Sequence, residues 1–147
     1  MSTQLEHHPL AHLVGKRVPG GTYSVAGYEN WLLRDAVYAE PEGPVHPIAA
    51  FIGAQRGMGM TVAELFAMLE CDINDGPVLA ESTIELHEDL AVDRQYRVDG
   101  EVTGIVRKHG AAMGAFDLVT CTFTLTDGDT EVARVSNTYA IGREERT

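Results

Sequence analysis

The fold is decided between residues 44 and 70, which read Pro44-Val-His-Pro-Ile-Ala-Ala-Phe51, then Arg56-Gly-Met-Gly-Met60 and Thr61-Val-Ala-Glu-Leu-Phe-Ala-Met-Leu-Glu70. In the last segment apolar residues recur at helical spacing, and alanine and methionine extend the apolar surface around the helix. Thr61 is a favourable N-cap, and Glu64 three residues later completes a capping box. A helix that is apolar nearly all round is typical of a protein interior. We therefore expect segment 61–70 to be the central helix.

Two further helices are predicted before it. Gly27-Tyr-Glu-Asn-Trp-Leu-Leu-Arg-Asp-Ala-Val-Tyr-Ala39 carries apolar residues at 28, 31, 32 and 36, and this helical spacing predicts a helix over 27–39. The Pro and Gly residues of segment 40–44 end this helix. Pro47 suits the first turn of a short apolar helix over 48–55, which Gly57 and Gly59 end.

After Asp75-Gly-Pro77 the hydrophobic period changes from helical spacing to alternation. Alternation predicts strands over 82–87, 95–107, 116–126 and 131–141, and an earlier short strand at 23–25. Lys108-His-Gly110 and Asp127-Gly-Asp129 are the predicted turns, and Gly100 or Gly104 is expected to bend the long strand. The pattern indicates an α+β fold, a curled antiparallel sheet of about five strands wrapped around a central apolar helix.

Composition limits the class of protein. The chain has 147 residues, of which 44% are hydrophobic and 22% charged, so one domain with a real core is expected. We predict a flexible lead over 1–13, in which His7 and His8 have no specific role, a single domain over 14–143 and a tail over 144–147. The net charge of −11 argues against nucleic acid as a partner. No apolar run of membrane-spanning length and no signal peptide pattern occur, so a cytoplasmic location is expected.

Three segments carry a resemblance to a known family. They are Gly15-Lys-Arg followed by Tyr23-Ser-Val25, then Pro44-Val-His46, and then Tyr96-Arg-Val-Asp-Gly-Glu-Val-Thr103 with Phe116-Asp-Leu-Val119. In combination they resemble the N-terminal-type domain of the MaoC-like dehydratase/hydratase family, which has the hotdog fold. The resemblance implies a hydratase or dehydratase of enoyl or 3-hydroxyacyl thioesters of coenzyme A or acyl carrier protein. It also implies no metal, no further cofactor, and a homodimer or a heterodimer with another hotdog subunit.

The sequence departs from the family motif at two positions. The family places an aspartate five residues before the histidine and an asparagine three before it, where this chain has Pro41 and Gly43. The nearby carboxylates, Glu40 and Glu42, are each displaced by one position. The resemblance therefore implies either an active hydratase with a degenerate motif or a non-catalytic partner subunit of one. A hotdog acyl-CoA thioesterase and a non-enzymatic ligand-binding domain remain further alternatives.

Candidate catalytic residues follow from the chemistry of water addition. His46 is the candidate base because imidazole titrates near neutrality, and Glu42, or alternatively Glu40, is its candidate carboxylate partner. The N–H groups of Gly57, Met58 and Gly59, at the predicted start of the main helix, are candidate donors to a thioester oxygen. The alternative for His46 is a simple cap on the helix that follows Pro47.

One basic cluster stands out in this acidic chain. Arg107 and Lys108, next to His109, are candidate contacts for the phosphates of coenzyme A or for an acidic carrier protein. The alternative is a solvated strand end.

Overall fold

The computed structural model describes residues 7–112 and 114–143. Its strands are β1 Gly21–Tyr23, β2 Val78–Leu86, β3 Tyr96–Gly110, β4 Gly114–Asp127 and β5 Thr130–Gly142. All five form one antiparallel sheet in the order β1-β3-β4-β5-β2. The predicted order of one strand, then helices, then four strands is confirmed, and so is the α+β class.

Strand β4 shows how alternation builds the core. Val119, Cys121, Phe123 and Leu125 are buried, while the threonines between them are only half-buried. Successive side chains of a strand point to opposite faces, so the apolar residues face the helices and the hydroxyls form the outer surface. On that surface Thr120 and Thr138 pair across neighbouring strands at 2.9 Å between their Oγ1 atoms.

The predicted bend and one predicted turn are found. The register of β3 against β4 shifts between Val102 and Gly104, so a bulge bends the long strand there. Gly128 begins the two-residue loop between β4 and β5 and has a φ of 60°, a conformation that glycine adopts without strain. The turn predicted at 108–110 is wrong, because pairing continues to Gly110 opposite Gly114 and the loop begins at Ala111.

Three α-helices pack on one face of the sheet: α1 Gly27–Ala36, α2 Ile48–Gly57 and α3 Val62–Met68. Short 3-10 helices cover Ala11–Leu13 and Ile73–Asp75. The capping box predicted for α3 is confirmed. The Glu64 N–H donates to Thr61 Oγ1 at 3.1 Å, and the Thr61 N–H donates to Glu64 Oε1 at 3.0 Å. Among the described residues, no helix is long and apolar enough to cross a membrane.

The central helix is α2, so its predicted position at 61–70 is wrong. Helix α2 lies against all five strands and buries Ala49, Ala50, Gly53, Ala54 and Gly57. A face of small residues lets a helix backbone approach a sheet closely. A Cβ added at Gly53 would lie 2.5 Å from the Tyr23 ring. The larger side chains of the seven-residue α3, such as Leu65 and Phe66, cover the core from one side instead.

Helix α1 buries a polar side chain and leaves most of its apolar ones exposed. Tyr28, Trp31 and Leu32 are exposed, and Asn30 is the buried residue of this helix, with 5% of its surface accessible. The helix begins at Gly27 as predicted but ends at Ala36 rather than 39. Its apolar spacing is helical, but the face that turns inward carries a polar side chain that meets the next loop.

A buried ion cluster joins the far ends of the chain. The carboxylate of Asp117 on β4 is fully buried and accepts hydrogen bonds from Arg107 Nε at 2.6 Å, Arg143 Nε at 2.7 Å and His8 Nε2 at 2.8 Å. Burial by itself would raise the pKa of Asp117, but these three donors outweigh it and hold that pKa below its usual value.

His8 overturns the expectation that the histidine pair before residue 13 has no specific role. Its ring is buried, with Nε2 on Asp117 and Nδ1 accepting the Leu10 N–H at 2.8 Å. Leu13 is fully buried, so the part of the predicted flexible lead that follows His8 is packed. Residues 1–6 and the predicted tail over 144–147 lie outside the described residues.

Candidate functional site

His46 lies at the end of the loop that connects α1 to α2, and it is partly buried. Its backbone N–H donates to Asn30 Oδ1 at 3.1 Å, and its carbonyl accepts from the Ala49 N–H at 2.9 Å. Pro47 follows in helical conformation as the N-cap of α2. The histidine is therefore held by its backbone on both sides, at the N-terminus of the central helix.

The ring of His46 caps α2. Its Nδ1 atom accepts the backbone N–H of Ile48 at 3.1 Å, which satisfies one of the unpaired donors at a helix N-terminus. A nitrogen that accepts a hydrogen bond carries no proton, so the neutral ring is protonated on Nε2. Nε2 has no hydrogen-bond partner among residues 7–112 and 114–143. In this arrangement the neutral His46 can donate a hydrogen bond to a ligand through Nε2. Its basic nitrogen, Nδ1, already accepts the Ile48 N–H.

The carboxylates predicted to assist His46 do not contact it. Glu42 and Glu40 are exposed, and in the described part of the chain neither side chain makes a hydrogen bond or an ion pair. Pro41 and Gly43 occupy the two motif positions and carry no polar side chain. The structure thus brings together no acid–base pair around His46 from the described residues, and the catalytic role of Glu42 stays a prediction.

Two side chains of α1 hold the loop, and sequence reasoning missed both. Asn30 Nδ2 donates to the Gly43 carbonyl at 3.2 Å, and Arg34 Nη1 donates to the Pro44 carbonyl at 3.1 Å. Arg34 Nε also donates to the Glu40 carbonyl. Asn30 and Arg34 are four residues apart and share one helix face. That spacing of two polar residues on one helix was the available signal.

The predicted oxyanion donors lie at the opposite end of α2 from His46. Gly57 is the last residue of α2 rather than part of a helix start, and a ten-residue helix separates its ends by about 14 Å. Met58 is fully buried, and its carbonyl accepts from the Gly20 N–H at 2.8 Å. A Cβ at Gly59 would lie 2.4 Å from the Gly20 carbonyl. These residues let the chain pack closely beside β1, and their role as oxyanion donors stays a prediction.

The two predicted basic contacts for a carrier, Arg107 and Lys108, lie in different surroundings. Arg107 donates to Asp117 through Nε at 2.6 Å and Nη2 at 3.2 Å, so its guanidinium is largely engaged. Lys108 and His109 are exposed near the end of β3. Contact of Arg107 and Lys108 with coenzyme A or a carrier protein stays a prediction, and Lys108 is the more accessible of the two.

A groove between α1 and α2 was not predicted. It has a volume of about 200 Å³ and is lined by Tyr23, Glu29, Leu32, Leu33, Ile52 and Arg56. Its walls are mainly apolar, and an ion pair of 3.0 Å between Arg56 and Glu29 lies among its lining residues. Burial, followed by the charge of Glu29, raises the pKa of the Tyr23 phenol. Such a groove suits an apolar chain better than a charged group.

A second depression, of about 400 Å³, lies on the outer face of the sheet, away from the helices and His46. Its lining is polar, with hydroxyls such as Thr122 and Ser136 beside charges such as Arg17, Glu85 and Glu101. No group of three or more His, Cys, Asp or Glu in the described ranges is placed to hold a metal ion. Both cysteines are free.

Among the comparisons with known proteins, the one with solved structures gives matches. No family model matches the chain, and no curated protein does. A chain of the HadBC (3R-hydroxyacyl-ACP dehydratase) complex from Mycobacterium tuberculosis superposes with a TM-score of 0.67 at 13% identity, covering 87% of this chain and 96% of that one. A chain of the ChsH1-ChsH2 complex from the same organism gives 0.63 at 14% identity, covering 90% and 86%.

A third structure is a MaoC-like dehydratase from Phytophthora capsici. It superposes with a TM-score of 0.67 at 11% identity, and the match covers 95% of this chain but 54% of that one. All three share the curled sheet around a central helix that is described above. The chain therefore has the hotdog fold, in the form found in MaoC-like dehydratases.

Proposed function

We propose that this chain is a ligand-binding subunit of an acyl-thioester hydratase or dehydratase, and that it works in a pair with a second hotdog subunit. The fold supports the class of reaction, because the structures it resembles include a 3R-hydroxyacyl-ACP dehydratase complex. Two of those structures are complexes of differently named subunits. The family resemblance of the Pro44–His46 segment supports a substrate carried on coenzyme A or acyl carrier protein, with no other cofactor.

The observation that carries the choice of a non-catalytic role is the hydrogen bond from the Ile48 N–H to His46 Nδ1. Hydration of an enoyl thioester needs a base for water, an acid for the α-carbon and donors for the developing enolate oxygen. His46 in this tautomer supplies a donor through Nε2, and no carboxylate of the described residues contacts the ring. Residues 7–112 and 114–143 thus supply one element of the reaction, and no acid–base pair is formed among them.

We infer that the thioester carbonyl accepts a hydrogen bond from His46 Nε2. The groove between α1 and α2 supplies apolar wall, through Leu33 and Ile52, for part of an acyl chain. Lys108, and Arg107 to a lesser extent, are the candidate contacts for the phosphates of the carrier.

Strand β2 is the surface we assign to the partner subunit. It has nine residues, lies at the edge of the sheet, and pairs only with β5 among the described strands. Val78 and Leu79 on this edge are exposed, although both are apolar. An edge strand with unpaired backbone groups and apolar side chains favours pairing with another chain. A homodimer would use the same edge.

Two catalytic alternatives are retained. In the first, the chain is an active hydratase in which Glu42 turns inward beside His46 when substrate binds. In the second, it is a hotdog thioesterase that directs water at the carbonyl. The exposed position of Glu42 favours neither.

Crotonyl-coenzyme A tests the three functions together. The purified full chain is mixed with it, and loss of the enoyl absorbance is followed in parallel with release of free thiol. We expect binding by calorimetry, no turnover by the chain alone, and turnover after co-purification with an active hotdog subunit. Enoyl loss by the chain alone that His46→Ala abolishes would establish the active hydratase. Thiol release would establish the thioesterase, and no binding would refute the proposal.

A further inference from the structure

The loop from Glu40 to His46 is fastened to α1 by side chains rather than by secondary structure. Two prolines lie between Glu40 and His46, so this segment has fewer backbone donors with which to hold itself. Its carbonyls at Glu40, Gly43 and Pro44 accept from Arg34 and Asn30. The position of His46 therefore depends on side chains one turn apart on another helix.

Asn30 makes contacts that are specific to one arrangement of the loop. It is 5% exposed, and both atoms of its amide are used: Oδ1 accepts the His46 N–H at 3.1 Å, and Nδ2 donates to the Gly43 carbonyl at 3.2 Å. A buried amide is costly unless its hydrogen bonds are made. If the loop moved away, Asn30 would lose both partners, so the buried amide favours the loop conformation that presents His46.

We propose that Asn30 is a positioning residue for His46, and that Arg34 is its second anchor. Asn30 fixes the His46 backbone at the N-terminus of α2, which places Nδ1 on the Ile48 N–H and leaves Nε2–H as the donor for a ligand. This inference rests on the proposed function in one respect, namely that a thioester carbonyl is the ligand. The direction of control, from Asn30 through the backbone to the ring, does not depend on the identity of that ligand.

Arg34 acts on the same loop from a more accessible position. Its guanidinium packs on Gly43, where an added Cβ would lie 2.8 Å from Nη2. Glycine at 43 thus allows the guanidinium to lie flat against the loop and reach the carbonyls of Glu40 and Pro44. Lysine at position 34 would keep the charge but has a single nitrogen in place of the guanidinium fork.

The test is a nitrogen-15 spectrum of the imidazole rings in the full chain, with His46 assigned by His46→Gln. At about pH 8, above the ordinary titration range of histidine, we expect the wild-type His46 ring to be the Nε2–H tautomer. In Asn30→Ala the ring should become a mixture of tautomers, and the two nitrogen shifts should move toward each other. Asn74→Ala, at an exposed asparagine of the second 3-10 helix, is the matched control and should leave the His46 signals unchanged.

Binding of crotonyl-coenzyme A is measured on the same samples. We expect Asn30→Ala to raise Kd by about tenfold or more, and Asn74→Ala to leave it unchanged. If Asn30→Ala does not fold, Arg34→Lys replaces it. We expect Arg34→Lys to change the tautomer mixture and the Kd in the same directions, but by smaller amounts. Identical His46 signals in the wild type, Asn30→Ala and Arg34→Lys would overturn the inference. An Nδ1–H tautomer in the wild type would also overturn it. A tautomer change without any binding by the wild type would refute the proposed function and leave the role of Asn30 standing.

Discussion

Arg143, just after β5, and Asp117 on the middle strand β4 form an ion pair of 2.7 Å that ties the end of the described chain to the core. The same guanidinium donates through Nη2 to the Leu69 carbonyl at 2.8 Å and through Nη1 to the Glu70 carbonyl at 2.6 Å. These are carbonyls at the C-terminal end of α3, where unpaired acceptors attract a cation. Asp117 thus holds an arginine that caps a helix, in addition to Arg107 and His8.

Replacement of Asp117 by asparagine should destabilise the fold. The substitution removes the buried negative charge and leaves two guanidinium groups without their counterion, a change that costs about 3 kcal/mol when a buried pair is broken from one side. Urea unfolding followed by circular dichroism measures the loss. Asp89→Asn, at an exposed aspartate, is the control and should change stability by less than about 0.5 kcal/mol. Equal stability of the two variants would show that the cluster contributes nothing.

The contribution of Asp117 should also depend on pH. Because its hydrogen bonds lower the pKa of Asp117 in the folded protein, the carboxylate stabilises the fold fully above its unfolded pKa. That stability is lost as the pH falls through the lower folded pKa. The difference in unfolding free energy between wild type and Asp117→Asn should therefore be constant from neutral pH to about pH 5 and shrink below about pH 4. Urea titrations across this range test it, and a difference that grows on acidification would contradict it.

Gly53→Ala should disturb the contact between α2 and β1. The added Cβ would lie 2.5 Å from the Tyr23 ring, which is buried. Overpacking of this kind costs about 1–3 kcal/mol, despite the better helix propensity of alanine. Gly27→Ala is the matched control, since its Cβ would meet only Val92 at 3.8 Å at the start of α1. The control should be neutral or stabilising in thermal unfolding, and a similar loss in both variants would contradict the prediction.

Leu79→Lys should weaken association with a partner subunit. A lysine on an edge strand places a charge where another strand would pair, and removes apolar area from the interface. Sedimentation velocity on the full chain, alone and with its co-purified partner, measures the assembly. The control is Val62→Lys on α3, because the two side chains are similarly exposed at 42% and 41%. Loss of the assembly in both variants, or in neither, would remove β2 as the assigned surface.

How far the sequence predicts the site can be judged from His46 and Asn30. The sequence showed the Pro-Val-His segment and the absence of the motif residues at positions 41 and 43. It also suggested the alternative that His46 caps a helix. The partner of its Nδ1 was not, because the ring has several orientations and only its packed surroundings select one. The role of Asn30 could not be predicted for a similar reason. Its neighbours Trp31 and Leu32 are apolar, and Asn30 is buried only because the loop packs against that face of the helix.

The sequence by itself determined the local elements of this protein. Alternation in segments 116–126 and 131–141 predicted long strands, and Thr61 with Glu64 predicted a capped helix start, because these patterns act over a few residues. The tertiary structure decided which helix is central and which charges meet. Helix α2 is central because its face of small residues fits closest to the sheet. Asp117 lies 109 residues from His8 and 26 residues from Arg143, and no local spacing encodes these pairings.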